Sequence, residues 1–166
     1  MNVISLTAKP SPFIRNCVDT YGRACAELES VLVPLFGLGV RVWIGLIFFK
    51  SGLQKINDWE STLFLFNEEY KLPVISPNLA SVLATTFELA MPVLLVLGLA
   101  TRLSALPLMV MAAVIQFVLG SANSAYLNVE HYYWMFMLGY LVTFGPGKIS
   151  MDYAIKRMFM DDASRH

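Results

Sequence analysis

Charged residues are scarce in this sequence, and its few cysteines and histidines exclude several familiar kinds of site. Charged residues make up 14% of the chain, against about 25% in soluble domains, and the formal net charge is zero. No basic face is concentrated anywhere, which argues against nucleic acid as a partner. The two cysteines and two histidines lack zinc-ligand spacing and the C-x-x-C-H haem motif, and no P-loop or G-x-G-x-x-G loop is present. We therefore predict no metal site and no self-contained catalytic centre.

Long apolar runs are what the sequence has in abundance. Hydrophobic residues account for 57% of the chain, and the mean hydropathy is +0.60. A helix needs about 20 mostly apolar residues to cross the hydrocarbon core of a bilayer. Four runs approach that length, although the fourth reaches it only with the semi-polar residues 126–131. The sequence predicts an all-α fold, a four-helix transmembrane bundle, with spans at about 31–51, 79–99, 103–121 and 127–145.

Basic residues indicate the orientation of this bundle. With four spans, one side of the membrane receives eight lysines and arginines, and the other receives three. The eight are Lys9, Arg15, Arg23, Arg102, Lys148, Lys156, Arg157 and Arg165; the three are Lys50, Lys55 and Lys71. By the positive-inside rule the side with eight is cytoplasmic. We expect a multi-pass protein of the bacterial cytoplasmic (inner) membrane with both termini inside.

The first 30 residues are predicted to form a cytoplasmic amphipathic segment. Apolar residues recur at steps of three or four between Phe13 and Leu28, with charged residues on the other faces. This pattern is typical of a helix that lies on the membrane interface, and a contact with a soluble partner is the alternative. Residues 31–155 form the predicted transmembrane domain, and residues 156–166 form a cytoplasmic tail.

A short interfacial helix is predicted in the first, periplasmic loop. Asn57, with Glu60 three residues later, resembles a helix-starting cap. Trp59, Phe66 and Tyr70 then recur at helical spacing. Aromatic residues favour the headgroup level of a membrane. The helix either covers the bundle as a lid or faces a substrate or partner, and the residues favour neither.

Two ionisable residues lie within the predicted spans and define a buried polar centre. Arg41 is about ten residues into the first span and Glu88 about nine residues into the second, which runs back the other way. A lone charge at the membrane centre costs about 2.5–3.5 kcal/mol on insertion scales. Opposite charges at matched depth predict a salt bridge between Arg41 and Glu88. The pair either forms a functional site or only fixes the register of the helices.

A stripe of small residues accompanies Arg41 along the first span. Gly45, Gly52 and Lys55 follow it at helical spacing, so the stripe is expected to face protein rather than lipid. Near its outer end we expect a polar pocket that binds a ligand or partner, formed by Lys55, Gln116, Glu130 and His131. His131 either shuttles protons or anchors a hydrogen bond, and Gln116 either contacts substrate or joins two helices.

Three segments resemble the DoxX family of small bacterial membrane proteins. They are RVWIGLIFFKSGLQKINDW (Arg41–Trp59), ELAMPVLLVLGLATR (Glu88–Arg102) and GPGKISMD (Gly145–Asp152). The resemblance covers roughly residues 31–155 and implies four spans. The matching positions are Arg41, Gly45, Gly52, Lys55, Glu88, Gly98 and Arg102. The family is named after a subunit linked to quinone-dependent oxidation of sulfur compounds, and other members resemble accessory subunits of redox or thiol-stress complexes.

The resemblance implies an accessory, non-catalytic subunit of a redox-related membrane system. Its partners would be the lipid bilayer and other redox-related proteins, with a quinone as the candidate ligand and no cofactor otherwise indicated. Two other functions remain open: a scaffold that anchors soluble partners, and a small-molecule carrier. Assembly into a homo-oligomer also remains open.

Overall fold

A computed structural model describes residues 11–70 and 75–163, with side chains as far as Met160. The described chain is helical nearly throughout, as the all-α prediction requires. Residues 1–10, 71–74 and 164–166 lie outside the described chain. They include Lys9, Lys71 and Arg165, three of the basic residues used above to predict the orientation. The α-helices are α1 (Pro12–Asn57), α2 (Trp59–Leu65), α3 (Pro77–Leu97), α4 (Thr101–Ala113), α5 (Gly120–Ala122), α6 (Val129–Phe144) and α7 (Met151–Ala163).

Three shorter helical segments of the described chain depart from α-helical geometry. Two are π-helical, Phe66–Tyr70 directly after α2 and Val114–Leu119 directly after α4. A single 3₁₀ turn, Ser124–Tyr126, connects α5 to the start of α6. π-helical turns are rare in proteins, and those that occur are often found at functional sites. The residues around these two segments are therefore candidates for a functional site.

Within residues 11–70 and 75–163, three stretches of helix are long and apolar enough to cross a membrane: Pro12–Asn57, Pro77–Leu97 and Thr101–Ala122. They overlap the first three predicted spans, and the first of them extends beyond residues 31–51 at both ends. α6 occupies the fourth predicted span but has only 16 residues, slightly fewer than the 17–25 that a span usually needs. The number of spans therefore remains a prediction at four.

The chain divides into two units, Met1–Val33 and Pro34–His166, and the boundary falls within α1. In the first unit, residues 12–33 are helical, and every residue from 11 to 33 is exposed. Large apolar side chains such as Phe13, Tyr21 and Leu28 are among them. Their location at the membrane interface remains a prediction.

The second unit contains the hydrophobic core, which is built from α1, α3, α4 and α6. Its buried residues are Val40, Ile44, Phe48, Leu95, Ala105, Leu108, Ala112, Leu138 and Leu141. Many large apolar side chains on the outside of these helices are exposed. In water such a surface would be unfavourable, whereas lipid chains solvate it.

The helix ends follow from local sequence. α3 begins with Pro77, whose fixed φ suits the first helical position, and it ends at Gly98 with a left-handed φ of 70°. Asp58 caps α2 by accepting a hydrogen bond from the backbone N–H of Ser61. The predicted cap at Asn57 is therefore wrong by one residue: α1 continues through Asn57, and only Asp58 has left the helix and can accept that bond.

The helix α7 was not predicted from the sequence. It crosses the predicted boundary between the transmembrane domain and a tail at residue 156. Met151, Ile155, Met158 and Phe159 recur at helical spacing and are all exposed, while Asp152, Lys156 and Arg157 lie on other faces. α7 is therefore amphipathic, and this spacing is the signal that would have revealed it.

Candidate functional site

The glycine stripe of α1 lies against α3, so the prediction that the stripe faces protein is confirmed. A methyl group added at Gly45 would lie 2.9 Å from Cγ2 of Val96, and one added at Gly52 would lie 2.9 Å from Cγ of Leu89. Both distances are shorter than real side chains tolerate. The absence of side chains at these glycines thus allows α1 and α3 to approach closely and brings Lys55 near Glu88.

Lys55 and Glu88 form a buried ion pair. Lys55 Nζ lies 2.6 Å from Oε2 and 2.8 Å from Oε1 of Glu88, and 2.9 Å from Oγ of Ser51. The Glu88 side chain is 4% exposed and that of Lys55 is 19% exposed. The pair neutralises two charges that would each be costly alone in an apolar environment.

The predicted Arg41–Glu88 salt bridge is therefore wrong. Both residues are buried, as expected, but Glu88 pairs with Lys55. Lys55 lies 14 positions after Arg41 on α1, which corresponds to a rise of about 21 Å. The error comes from the end of the first span: α1 continues to Asn57, so Lys55 is still in the helix and reaches the depth of Glu88.

Arg41 instead binds backbone carbonyl groups. Its Nε donates to Gly37 O at 3.3 Å and its Nη1 to Val96 O at 3.4 Å, while Nη2 donates to Ile149 O. These acceptors belong to α1, to the end of α3 and to the segment before α7. A buried guanidinium thus joins three parts of the fold, and among the described residues no carboxylate forms a hydrogen bond with it.

Gly98 is required beside this guanidinium. Its φ of 70° favours glycine, and a side chain here would collide with Nη1 of Arg41 and with Ser150. The backbone N–H of Asp152 donates to Gly98 O at 3.0 Å. Gly98 and Arg41 both match the family pattern, and both contribute to the contact between the end of α3 and the segment before α7.

Arg102, another of these positions, lies at the same end of the second unit. Its Nη2 donates to Thr143 O at 3.2 Å, which joins α4 to the last turn of α6. Its guanidinium also lies along Gly145, where an added methyl group would be 3.4 Å from Nε. Arg102 remains exposed.

Gln116 and His131 form a second polar contact. Nδ1 of His131 lies 2.9 Å from Oε1 of Gln116, which also accepts from the backbone N–H of Asn128 at 3.2 Å. Both side chains are buried. Glu130 is exposed beside them. Across the described residues, no hydrogen bond connects this cluster to Lys55. A single pocket formed by Lys55, Gln116, Glu130 and His131 stays a prediction.

A cavity of ≈ 210 Å³ opens beside the ion pair. Lys55 and Glu88 supply its charged groups, and the remaining walls come mainly from the apolar and aromatic residues Phe66, Tyr70, Ile75, Ala80, Leu83, Ala84, Phe87, Val110, Met111, Val114, Ile115 and Leu119. Sequence reasoning missed most of these residues because they have no chemical signature of their own. Both π-helical segments contribute to the walls, and neither Gln116 nor His131 does.

Aromatic and acidic residues adjoin this cavity through Phe66 and Tyr70, which line it. The rings of Phe66 and Tyr70 meet edge to face at 4.9 Å, and those of Tyr70 and Tyr126 at 5.6 Å. The Tyr126 hydroxyl donates to Oε2 of Glu69. Burial, together with the charges of Glu69 and Glu88, raises the pKa of Tyr70 above its ordinary value, so its phenol stays protonated at neutral pH.

Comparison with known proteins identifies a matching protein family. A family profile described as DoxX matches residues 36–121, more than half of the chain. An uncharacterized protein of Haemophilus influenzae is 30% identical, in a match that covers 72% of this chain and 83% of the relative. No solved structure gives a significant match. The profile includes Arg41, Lys55, Glu88 and Gln116, and it ends before His131.

Proposed function

This chain belongs to the DoxX family of membrane proteins, and we propose that it is an accessory subunit of a redox-related membrane system that binds a quinone-like ring beside Lys55 and Glu88. The observation that carries the proposal is the ion pair at the wall of an otherwise apolar cavity. Ligand sites in proteins combine mostly apolar walls with a few polar groups that orient the ligand.

The size of the cavity supports a ring-sized ligand. An engineered apolar cavity of about 150 Å³ is large enough for benzene, and the cavity beside Glu88 measures ≈ 210 Å³. One substituted aromatic ring therefore fits, whereas a long isoprenoid tail would have to extend into the surrounding lipid.

The polar groups suit a ring with carbonyl or hydroxyl substituents. The Lys55 ammonium group donates to Ser51 and Glu88, and a ligand carbonyl can replace Ser51 as an acceptor. The Glu88 carboxylate has further lone pairs that can accept from a ligand hydroxyl. Both the oxidised and the reduced form of a quinone thus find a partner here, and no bond-making step is assigned to the chain.

The remaining features of the proposal concern location and partners. We place the chain in the bacterial cytoplasmic (inner) membrane, with four spans and both termini inside, on the strength of the basic residues. The exposed apolar side chains of residues 11–33 and of α7 support contacts with the interface or with other subunits of the system.

Copurification tests the proposed ligand. The full-length chain, the Lys55→Gln/Glu88→Gln double variant and the Lys50→Gln variant would be purified in mild detergent, and their bound lipophilic compounds identified by mass spectrometry. Lys50 is an exposed lysine of the same helix and provides the matched control. We expect a ring compound with the wild type and Lys50→Gln, and its loss from the double variant. Equal recovery from all three, or none from any, would refute the site.

A scaffold for soluble partners is the second candidate, favoured by the exposure of every residue from 11 to 33. It predicts that trimming residues 1–30 or 146–166 abolishes function, whereas the Lys55→Gln/Glu88→Gln variant retains it. The quinone site predicts the reverse. A carrier function would need internal pseudo-symmetry or dimers, and the sequence contains no internal repeat.

A further inference from the structure

A second cavity lies where the start of α4, the end of α6 and α7 meet. Its volume is ≈ 580 Å³, within the range of about 300–1,000 Å³ that ligand sites occupy. It is separate from the Lys55–Glu88 cavity and shares no lining residue with it. From its walls we propose that this cavity binds the phosphate headgroup of an anionic phospholipid.

The charges around the cavity favour an anion. Arg102, Lys148 and Lys156 line it, together with one carboxylate among the described side chains, that of Asp152. This carboxylate is already engaged: Oδ1 accepts from Ala100 N at 2.9 Å and Oδ2 from Thr101 N at 3.2 Å. The three basic side chains therefore outnumber the Asp152 carboxylate, which is hydrogen-bonded to the backbone at the start of α4.

Donor groups remain available for a phosphate. In the part of the chain that the structure describes, neither Lys148 nor Lys156 forms a salt bridge. Arg102 donates one of its five N–H groups, to Thr143 O. Arginine and lysine are the usual partners of phosphate groups in proteins.

Thr101 provides an independent sign of an incomplete site. It lines the cavity, is 0% exposed, and its hydroxyl has no hydrogen-bond partner among the described residues. A buried hydroxyl without a partner costs free energy. A polar headgroup bound in the cavity near the start of α4 would bring further acceptors close to this hydroxyl.

Apolar side chains on the rim indicate a lipid rather than free phosphate. Leu103 and Phe144 line the cavity and are 70% and 69% exposed. The exposed apolar face of α7, which includes Met158 and Phe159, continues from this region of the chain. A phosphate held by basic side chains beside such surfaces can extend its acyl chains along them, and basic pockets at the cytoplasmic side of membrane helices bind anionic headgroups in this way.

Lipid binding by the full-length protein in mild detergent tests the proposal. The probes are phosphatidylglycerol, which is anionic, and phosphatidylcholine, which is zwitterionic, with binding measured by native mass spectrometry. The Lys148→Gln/Lys156→Gln variant is compared with Arg15→Gln/Arg23→Gln, which removes the same charge from exposed residues that do not line the cavity. We expect the lysine variant to bind phosphatidylglycerol about tenfold more weakly, equivalent to about 1.4 kcal/mol. We expect the arginine variant to bind it unchanged.

Two further comparisons keep the test decisive. Lys148→Arg/Lys156→Arg retains the charges and is expected to retain binding, which separates loss of the site from loss of the fold. Equal weakening in both double Gln variants, or equal binding of phosphatidylcholine, would overturn the proposal. Displacement of the lipid by inorganic phosphate at comparable concentration would also overturn it, because the cavity would then be a site for the free anion.

Discussion

Lys55 and Glu88 are held together across the contact of α1 and α3, with Nζ 2.6 Å from Oε2. The two side chains are unequally buried, at 19% and 4% exposed. Loss of either partner leaves the other without its counter-charge, but the consequence differs. Without Lys55, the Glu88 carboxylate would remain buried among apolar side chains with no counter-charge. Without Glu88, the Lys55 ammonium group would still have some access to polar surroundings.

We therefore expect Lys55→Gln to destabilise the protein more than Glu88→Gln does. Breaking a buried pair from one side costs about 3–5 kcal/mol, while replacing both partners is often nearly neutral. Lys55→Gln should approach the lower end of that range, and the double variant should be closer to the wild type than Lys55→Gln. Unfolding in mild detergent, with Lys50→Gln as the control, measures these differences. Additive effects of the two single substitutions would show that the residues are not coupled.

Gly52→Ala should destabilise the protein by about 1–3 kcal/mol, the usual cost of overpacking a core. The new methyl group would lie 2.9 Å from Leu89 Cγ and 3.0 Å from Glu88 Cβ, so α1 and α3 must separate. Gly39→Ala is the matched control on the same helix, because nothing lies within 4 Å of a methyl group there. That variant should gain up to about 1 kcal/mol from helix propensity. The two free energies of unfolding should therefore change in opposite directions, and a shared direction would contradict the close contact.

Asp58 should make the start of α2 sensitive to acid. Hydrogen bonds from the Ser61 side chain and backbone lower the pKa of Asp58. A lowered pKa in the folded state means that the cap stabilises α2 above the unfolded value of about 3.9 and is lost as the pH falls below it. Hydrogen exchange of residues 61–63 should accelerate, relative to its intrinsic rate, over that acidic range. Asp58→Asn keeps an acceptor that does not titrate, so its protection should not follow the pH, and identical behaviour of the two proteins would exclude this cap.

Tyr126 should ionise at unusually high pH. Its hydrogen bond to Glu69, followed by burial and the charges of Glu69 and Tyr70, raises the pKa of Tyr126 to about 12. Glu69→Gln removes the charged acceptor, and the pKa of Tyr126 should fall towards the ordinary value of about 10. The tyrosinate absorbance difference between each protein and its Tyr126→Phe counterpart isolates this one residue. An unchanged pKa in Glu69→Gln would show that the contact with Glu69 does not control the hydroxyl.

The sequence predicted the elements better than it predicted their contacts. Hydropathy alone located the long helices, because lipid requires continuous apolar runs whatever the neighbours are. The spacing of Gly45 and Gly52 also revealed which face of α1 meets protein. The ion-pair partner of Glu88 was harder to predict. The signs of the charges and their approximate depths indicated Arg41, although the sequence also placed the true partner, Lys55, on the same stripe of α1.

The failure has a physical cause in the length of α1. An apolar window that ended near residue 51 placed Lys55 outside the membrane, whereas the helix continues to Asn57. The acceptors of Arg41 were also hidden, since backbone carbonyls of Val96 and Ile149 have no signature in the sequence. Cavity walls made of ordinary apolar residues were undetectable for the same reason.

The Arg41–Ile149 hydrogen bond has a consequence for biosynthesis. Its two residues are 108 positions apart, and at about 5–20 residues per second the ribosome needs roughly 5–20 s to make that interval. During this time the first hydrophobic helix already exists, but the carbonyl that completes the guanidinium's set of acceptors has not been synthesised. Gly37 and Val96 are made earlier and can accept hydrogen bonds from Arg41 in the meantime. The first helix therefore gains its full set of contacts only when the C-terminal segment has been added.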